Sequence, residues 1–206
     1  MLNLQQALRK YFIMGSQNCD RDPKQILEEA IQAGITAFQY REKGQGSLSG
    51  FQKYILGKEL RNICKQYDIP FFVNDDVELT QVLDADGIHV GQDDVNALEL
   101  RQRFPNKWIG LSISNMQELQ SSPLDHVDYL GVGPIFATTT KEDAKAAVGT
   151  DWIKQVKQLY PNMPIVGIGG ISTENAASVL ESGAEGVAII SAITKAKNIN
   201  EAVAKL

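Results

Sequence analysis

The 206-residue chain reads as α/β, a single (β/α)8 TIM barrel spanning residues 1–206. Three observations predict it. Short apolar runs alternate with helix-type segments throughout, the pairs number eight, and no shift in composition marks a second domain. Barrels reach this length as one unit. An open doubly wound sheet is the competing architecture, since it also sets parallel strands between helices. The glycine pair after the seventh run and the glycine-flanked eighth run favour closure. In both folds ligands sit at the C-terminal ends of the strands.

The first strand is Tyr11–Met14. A helix follows over Pro23–Ala33, with proline in its first turn and Gly34 beyond its end. Ala37–Tyr40 is the second strand, followed by a long helix through Phe51–Tyr67. Phe71–Val73 pairs with Val77–Leu83, and Gly87–Val90 with Val95–Phe104. Trp108–Leu111 pairs with Met116–Gln120, the weakest helical pattern of the set. Tyr129–Val132 is the sixth strand, and a long loop, Gly133–Thr150, leads to a helix at Trp152–Leu159. Ile165–Ile168 pairs with Thr173–Ser182, and Gly186–Ile189 with a last helix over Asn200–Lys205.

A net charge of −5 and a pI near 5.1 argue against a nucleic-acid or anionic-membrane surface, while leaving room for a locally basic site. No apolar run approaches the roughly 18–20 residues of a membrane span, and the N-terminus lacks a signal-peptide core. Two cysteines in unrelated contexts, Cys19 and Cys64, do not suggest a disulfide framework or a zinc site. The expected setting is cytoplasmic, with small-molecule partners; homo-oligomer formation is left open.

The chemistry gathers at the strand ends. After the third and fourth strands stand Asn74-Asp75-Asp76 and Gln92-Asp93-Asp94. Hard cations take oxygen ligands, so Asn74, Asp75 and Asp94 read as a Mg²⁺ site; the alternative is that these residues cap the following helices. Asp76 and Asp93 read as caps or supporting partners. After the second strand, Gln39-Tyr40-Arg41-Glu42-Lys43 carries a basic pair suited to a diphosphate, or else a solvated loop. Thr138, Thr139, Thr140 and Lys141 suit phosphate binding on a loop longer than a connection needs. Lys145 reads as solvated. Gly169-Gly170 and Ile190-Ser191 match the usual barrel phosphate cradle, which predicts a second anion site. Ser112 reads as a ligand contact or a cap. His89 reads as a hydrogen-bonded core histidine, and His126 as lying on the opposite face. Trp108 and Trp152 read as packing residues.

Six ordered segments, QYREKG, FFVNDDVEL, DGIHVGQDD, GVGPIFATTTK, IVGIGGI and GVAIISAI, resemble those of the thiamine-phosphate synthase family over about Tyr11 to Ile193. The resemblance implies a transferase of thiamine biosynthesis. Such an enzyme joins 4-amino-2-methyl-5-(diphosphooxymethyl)pyrimidine to 4-methyl-5-(2-phosphooxyethyl)thiazole and releases diphosphate with Mg²⁺. It implies that Gln39, Tyr40, Arg41, Glu42, Lys43, Asn74, Ser112 and Lys141 bind the pyrimidine diphosphate. Arg41, Lys43 and Lys141 would be catalytic, and Asp75 and Asp94 would hold the metal. Thr138, Thr139, Thr140, Gly170, Ile190 and Ser191 would surround the thiazole phosphate. Ser114 stands where the family often has histidine. Two alternatives are a thiazole tautomerase-like barrel and a non-catalytic thiazole-phosphate sensor.

Overall fold

Eight parallel strands pair in chain order and β8 closes on β1. They are β1 (Lys10–Met14), β2 (Ala37–Tyr40), β3 (Phe71–Asn74), β4 (Gly87–Val90), β5 (Trp108–Ile113), β6 (Tyr129–Val132), β7 (Ile165–Ile168) and β8 (Gly186–Ile189). The computed structural model describes residues 3–138, 140 and 145–206. The barrel read from the sequence is therefore the one observed, rather than the open sheet.

The described helices, in chain order, are α1 (Leu4–Ala7), α2 (Pro23–Gln32), α3 (Gly50–Gln66), α4 (Val77–Val82), α5 (Ala97–Arg103), α6 (Met116–Ser121), α7 (Thr150–Leu159), α8 (Ala176–Glu181), α9 (Ser191–Thr194) and α10 (Ile199–Ala204). Asp22 caps α2 just ahead of Pro23, Asp76 caps α4 and Asn96 caps α5. Helix α6 is held by Asn115, whose side chain accepts from the Glu118 amide at 2.9 Å. Two short helices are additions to the sequence reading. Helix α1 is too short for a period to show; a reciprocal capping box of Asn3 and Gln6 holds it. Helix α9 follows β8 directly.

The apolar side chains divide into two layers. Phe12, Phe38, Phe71, Ile88, Ile109, Leu130 and Val187 face outward, between strands and helices. Tyr11, Ile13, Phe72, Tyr129, Val166 and Ala188 fill the barrel interior, and Ala7 and Leu8 close its N-terminal end. Inside, Trp108 stacks on Phe72 at 5.8 Å, and Tyr129 meets Phe72 edge-on at 5.9 Å. Trp152 is buried in the outer layer.

The N-terminal rim is held by one device used three times. Asp86, Asp128 and Glu185 each precede a strand and accept the first or second amide of a neighbouring strand: Phe71, Ile109 and Ile165. Arg61, Arg101 and Lys157 pair with those same carboxylates. Each clamp satisfies an end-of-strand donor and a charge together. The opposite rim carries different chemistry.

Candidate active site

At the C-terminal rim, side chains from β2–β5 and from β6–β8 surround a cavity of about 190 Å³. Arg41 and Lys43 enter it from the segment after β2, Asn74 from β3, Asp93 and Asp94 after β4, and Ser112 from β5. Across the mouth stand Thr138, Thr140, Gly170, Ile190 and Ser191. Thr139 and Lys141 lie outside the described residues.

Lys43 lies between the two acids singled out as metal ligands. Its ammonium donates to Asp75 Oδ2 at 2.6 Å and stands 3.6 Å from Asp94 Oδ1. Burial opposes the Lys43 charge, but the hydrogen bond and the field of Asp75 and Asp94 outweigh it and raise its pKa. Asp75 adopts φ 54°, a left-handed backbone that Asp tolerates better than most residues. Its amide is held by the His89 carbonyl at 2.9 Å. Asp94 Oδ2 accepts from the Gly91 amide at 2.7 Å, which leaves Oδ1 on the Lys43 side. Among the described residues no group of three or more His, Cys, Asp or Glu gathers as a metal cluster. Mg²⁺ needs only one or two carboxylates, completed by water and phosphate oxygens. Two carboxylates already sharing one cation fit that requirement.

Asp76, one residue on, serves the fold. It accepts from the Leu79 amide at 2.9 Å and from Lys53 Nζ at 2.8 Å, as a cap with a charged partner. Burial pushes its carboxyl up, but Lys53 and the Leu79 amide hold it below the usual carboxylate value.

The end of β2 and the segment after it alternate direction. Arg41 is buried and faces the cavity. Gln39 turns into the barrel and donates to the Tyr11 hydroxyl at 2.8 Å. Tyr40 turns outward and donates to the Lys53 carbonyl at 3.0 Å. The Glu42 carboxylate accepts from the Ser16 amide, the Ser16 hydroxyl and the Leu48 amide at 2.7–2.9 Å. Gln39, Tyr40 and Glu42 are not among the residues lining the cavity. Cys19, nearby, has its thiol pushed up to about 12, first by burial and then by Glu42, so it offers no nucleophilic thiolate.

On the far wall the double glycine has a packing duty as well. Gly169 and Gly170 adopt φ 93° and 65°, and a Cβ on either would meet Pro134 or the Ala137 carbonyl at 2.5–2.7 Å. The loop after β6 is laced to them by Ile135 N to Ile168 O and Phe136 N to Gly169 O. Glycine there lets the loop lie against the cavity wall.

Five contributors are not singled out as ligand contacts by the sequence. His89 reaches the cavity floor, although it is buried and hydrogen-bonded as expected. Its alternation with the outward Ile88 and Val90 on β4 is the signal for an inward side chain. Gln92 braces the site by donating to the Ser112 carbonyl at 2.8 Å. Ser114 donates its amide and hydroxyl to Glu118, and Glu118 accepts from Lys145. Lys145, read as solvated, thus lines the cavity in an ion pair. An Asn115-x-x-Glu118 capping pattern was the available signal for Glu118.

This arrangement coincides with a family match. The family model for thiamine monophosphate synthase matches residues 10–193. The chain belongs to that family. A thiamine-phosphate synthase of Oceanobacillus iheyensis is 61% identical over 199 residues, covering 97% of each chain. One of Bacillus cereus is 51% identical over 203 residues, covering 98% of this chain and 93% of the relative. The solved structure of a thiamine phosphate pyrophosphorylase from Pyrococcus furiosus superposes with a TM-score of 0.87 at 32% identity, covering 99% of this chain and 96% of the other. The chain is accordingly a transferase of the thiamine monophosphate synthase family. No described helix is long and apolar enough to cross a membrane.

Proposed function

We propose that the protein condenses the pyrimidine methyl diphosphate with the thiazole ethyl phosphate, giving thiamine phosphate and diphosphate. One observation carries this reading. A single cavity combines Arg41, Lys43, Asn74, Asp94 and Ser112 on one wall with Thr138, Thr140, Gly170, Ile190 and Ser191 on the other. That gives two anion-binding walls, the first provided with carboxylates for a divalent cation.

The chemistry asks little proton transfer of the protein. The pyrimidine ring donates electron density to its methylene, and the C–O bond breaks with its electron pair departing on diphosphate. The thiazole nitrogen then shares its lone pair with the methylene carbon to form the C–N bond. No proton need leave, so a general base is not required. Arg41, Lys43, Asn74 and Ser112 act by holding the diphosphate oxygens and stabilising the charge they gain. The second wall holds the thiazole phosphate and aims the ring nitrogen. Asp75 and Asp94 would hold Mg²⁺, which would supply Lewis-acid stabilisation to the departing diphosphate.

The test is direct. The folded protein is mixed with both substrates and Mg²⁺, and diphosphate and thiamine phosphate are measured together. Stoichiometric release of both is expected. Absence of both products with folded protein would overturn the proposal; isomerisation of an added thiazole carboxylate phosphate would then mean a tautomerase, and bound thiazole phosphate without turnover a sensor. Electron-withdrawing pyrimidine substituents should slow the single-turnover step, and an unchanged rate would remove the dissociative mechanism.

A further inference from the structure

A line of polar side chains crosses the barrel interior beneath the cavity. Gln39 Nε2 donates to the Tyr11 hydroxyl at 2.8 Å. The Tyr11 and Tyr129 hydroxyls are 3.0 Å apart. The Tyr129 hydroxyl is 3.0 Å from His89 Nδ1, and His89 Nε2 is 2.9 Å from Ser112 Oγ. Five strands contribute one member each: β2, β1, β6, β4 and β5.

The space for this line is built into the strands. His89 pairs in register with Gly110, and Gly110 with Tyr129. A Cβ on Gly110 would lie 2.2 Å from Tyr129 Cζ and 2.5 Å from His89 Nδ1. A Cβ on Gly131 would lie 2.8 Å from His89 Cε1. The two glycines clear the path along which the rings meet.

Counting protons gives the line a direction. Burial raises both phenols above their ordinary range, so each stays neutral with one proton to donate. The Tyr11 oxygen receives the Gln39 N–H. The Tyr11 proton then has the Tyr129 oxygen as its acceptor among the described residues. That commits the Tyr129 proton to His89 Nδ1. With Nδ1 accepting, the ring proton of His89 sits on Nε2 and is donated to Ser112 Oγ, 2.9 Å away. The Ser112 hydrogen is left to turn into the cavity, which Ser112 lines.

We propose that Tyr11, Tyr129 and His89 are positioning residues that orient the Ser112 hydroxyl as a donor to a phosphate-type oxygen in the cavity. Naming that oxygen as part of diphosphate rests on the function proposed above; the direction of the line does not. Reversal would place the His89 proton on Nδ1 and bind the Ser112 hydrogen to Nε2. Ser112 would then show only lone pairs to the anion, which repel it.

Nitrogen–proton correlation spectra of the ¹⁵N-histidine-labelled protein decide the direction. The chain holds two histidines, so H126Q assigns the His89 signals. The expected result is a neutral His89 ring with its proton on Nε2; a proton on Nδ1 overturns the proposal. Y129F keeps the ring and removes the donor. It should mix the His89 tautomers and weaken binding of inorganic diphosphate with Mg²⁺ about tenfold, the order of one hydrogen bond to a charged group. S112A should weaken it comparably, and Y129F/S112A little further. Fully additive losses would show that Tyr129 does not act through Ser112. If the unmodified protein fails to bind diphosphate, the functional reading falls, while the imidazole spectrum still decides the direction. If Y129F fails to fold, the spectrum of the unmodified protein remains decisive.

Discussion

Lys43 donates to Asp75 Oδ2 at 2.6 Å, and this ion pair occupies the ground between the carboxylates expected to bind a divalent cation. An ammonium and Mg²⁺ at the same pair of carboxylates repel each other unless an anion joins them. Under the proposed reaction the arrangement would therefore favour a metal that arrives with a diphosphate, which would draw Lys43 to its own oxygens. Lys43→Ala should bind Mg²⁺ severalfold more tightly without substrate, by titration calorimetry, yet turn over at least 100-fold more slowly. Weaker Mg²⁺ binding in the variant would show that Lys43 does not compete for these carboxylates.

The two acids themselves should separate activity from stability. Asp94→Asn keeps an acceptor for the Gly91 amide and removes a charge. Asp75→Asn keeps a residue type that tolerates φ 54°. Both should lower turnover about 100-fold while moving the unfolding midpoint only slightly, by urea titration. Parallel losses of fold and activity would mean that these acids mainly build loops.

Glu42 should behave in the opposite way. Its carboxylate accepts three hydrogen bonds and none of them faces the cavity. Glu42→Gln turns an N–H₂ toward donors, at a cost of about 2 kcal/mol. Stability should fall by that amount, with KM for the pyrimidine diphosphate rising only as a consequence of the displaced 16–48 segments. A stability unchanged by the substitution would restore Glu42 as a direct ligand contact.

How much of this could be read from the chain depends on what kind of signal each residue left. Strand boundaries were legible because apolar runs end in polar residues, and seven of the eight strands agree with the expectation within a residue at both ends. The apolar run Trp108–Leu111 stops at the polar Ser112, although the strand continues through it to Ile113. Asp76 was legible as a cap by its position before Val77. Gln39 keeps the β2 alternation and points inward like Ala37, whereas the facing of Glu42, beyond the strand, was not legible, since a strand end that twists into a loop loses the alternation that tells inside from outside. The partnership of Lys145 with Glu118 joins the loop after β6 to helix α6, 27 residues away in sequence, beyond any local pattern.

The interior offers a packing test. Gly110→Ala should cost about 3 kcal/mol, because the added methyl would sit 2.2 Å from Tyr129 Cζ in a filled barrel. Urea unfolding measures the cost, and a neutral outcome would mean that the Tyr129 ring has room to move.

Acid should weaken the α4 cap. Asp76 has its pKa lowered in the folded protein, so its contribution is fully present above the ordinary carboxylate value and is lost as pH falls through the lower folded value. Asp76→Ala should cost about 1 kcal/mol at pH 7. The difference should shrink below about pH 4, the unfolded aspartate range, and vanish further down. A penalty that persists at pH 2.5 would assign it to packing rather than charge.

Helix α1 and the buried Ala7 and Leu8 stopper the barrel at the end away from the mouth. For the proposed reaction this makes the cavity a blind alley. Both reactants arrive, and both products depart, by the same doorway. Accumulated diphosphate or thiamine phosphate must then obstruct fresh reactants of either kind, so that traffic through one opening, as well as bond-making, governs how fast the site can be reused.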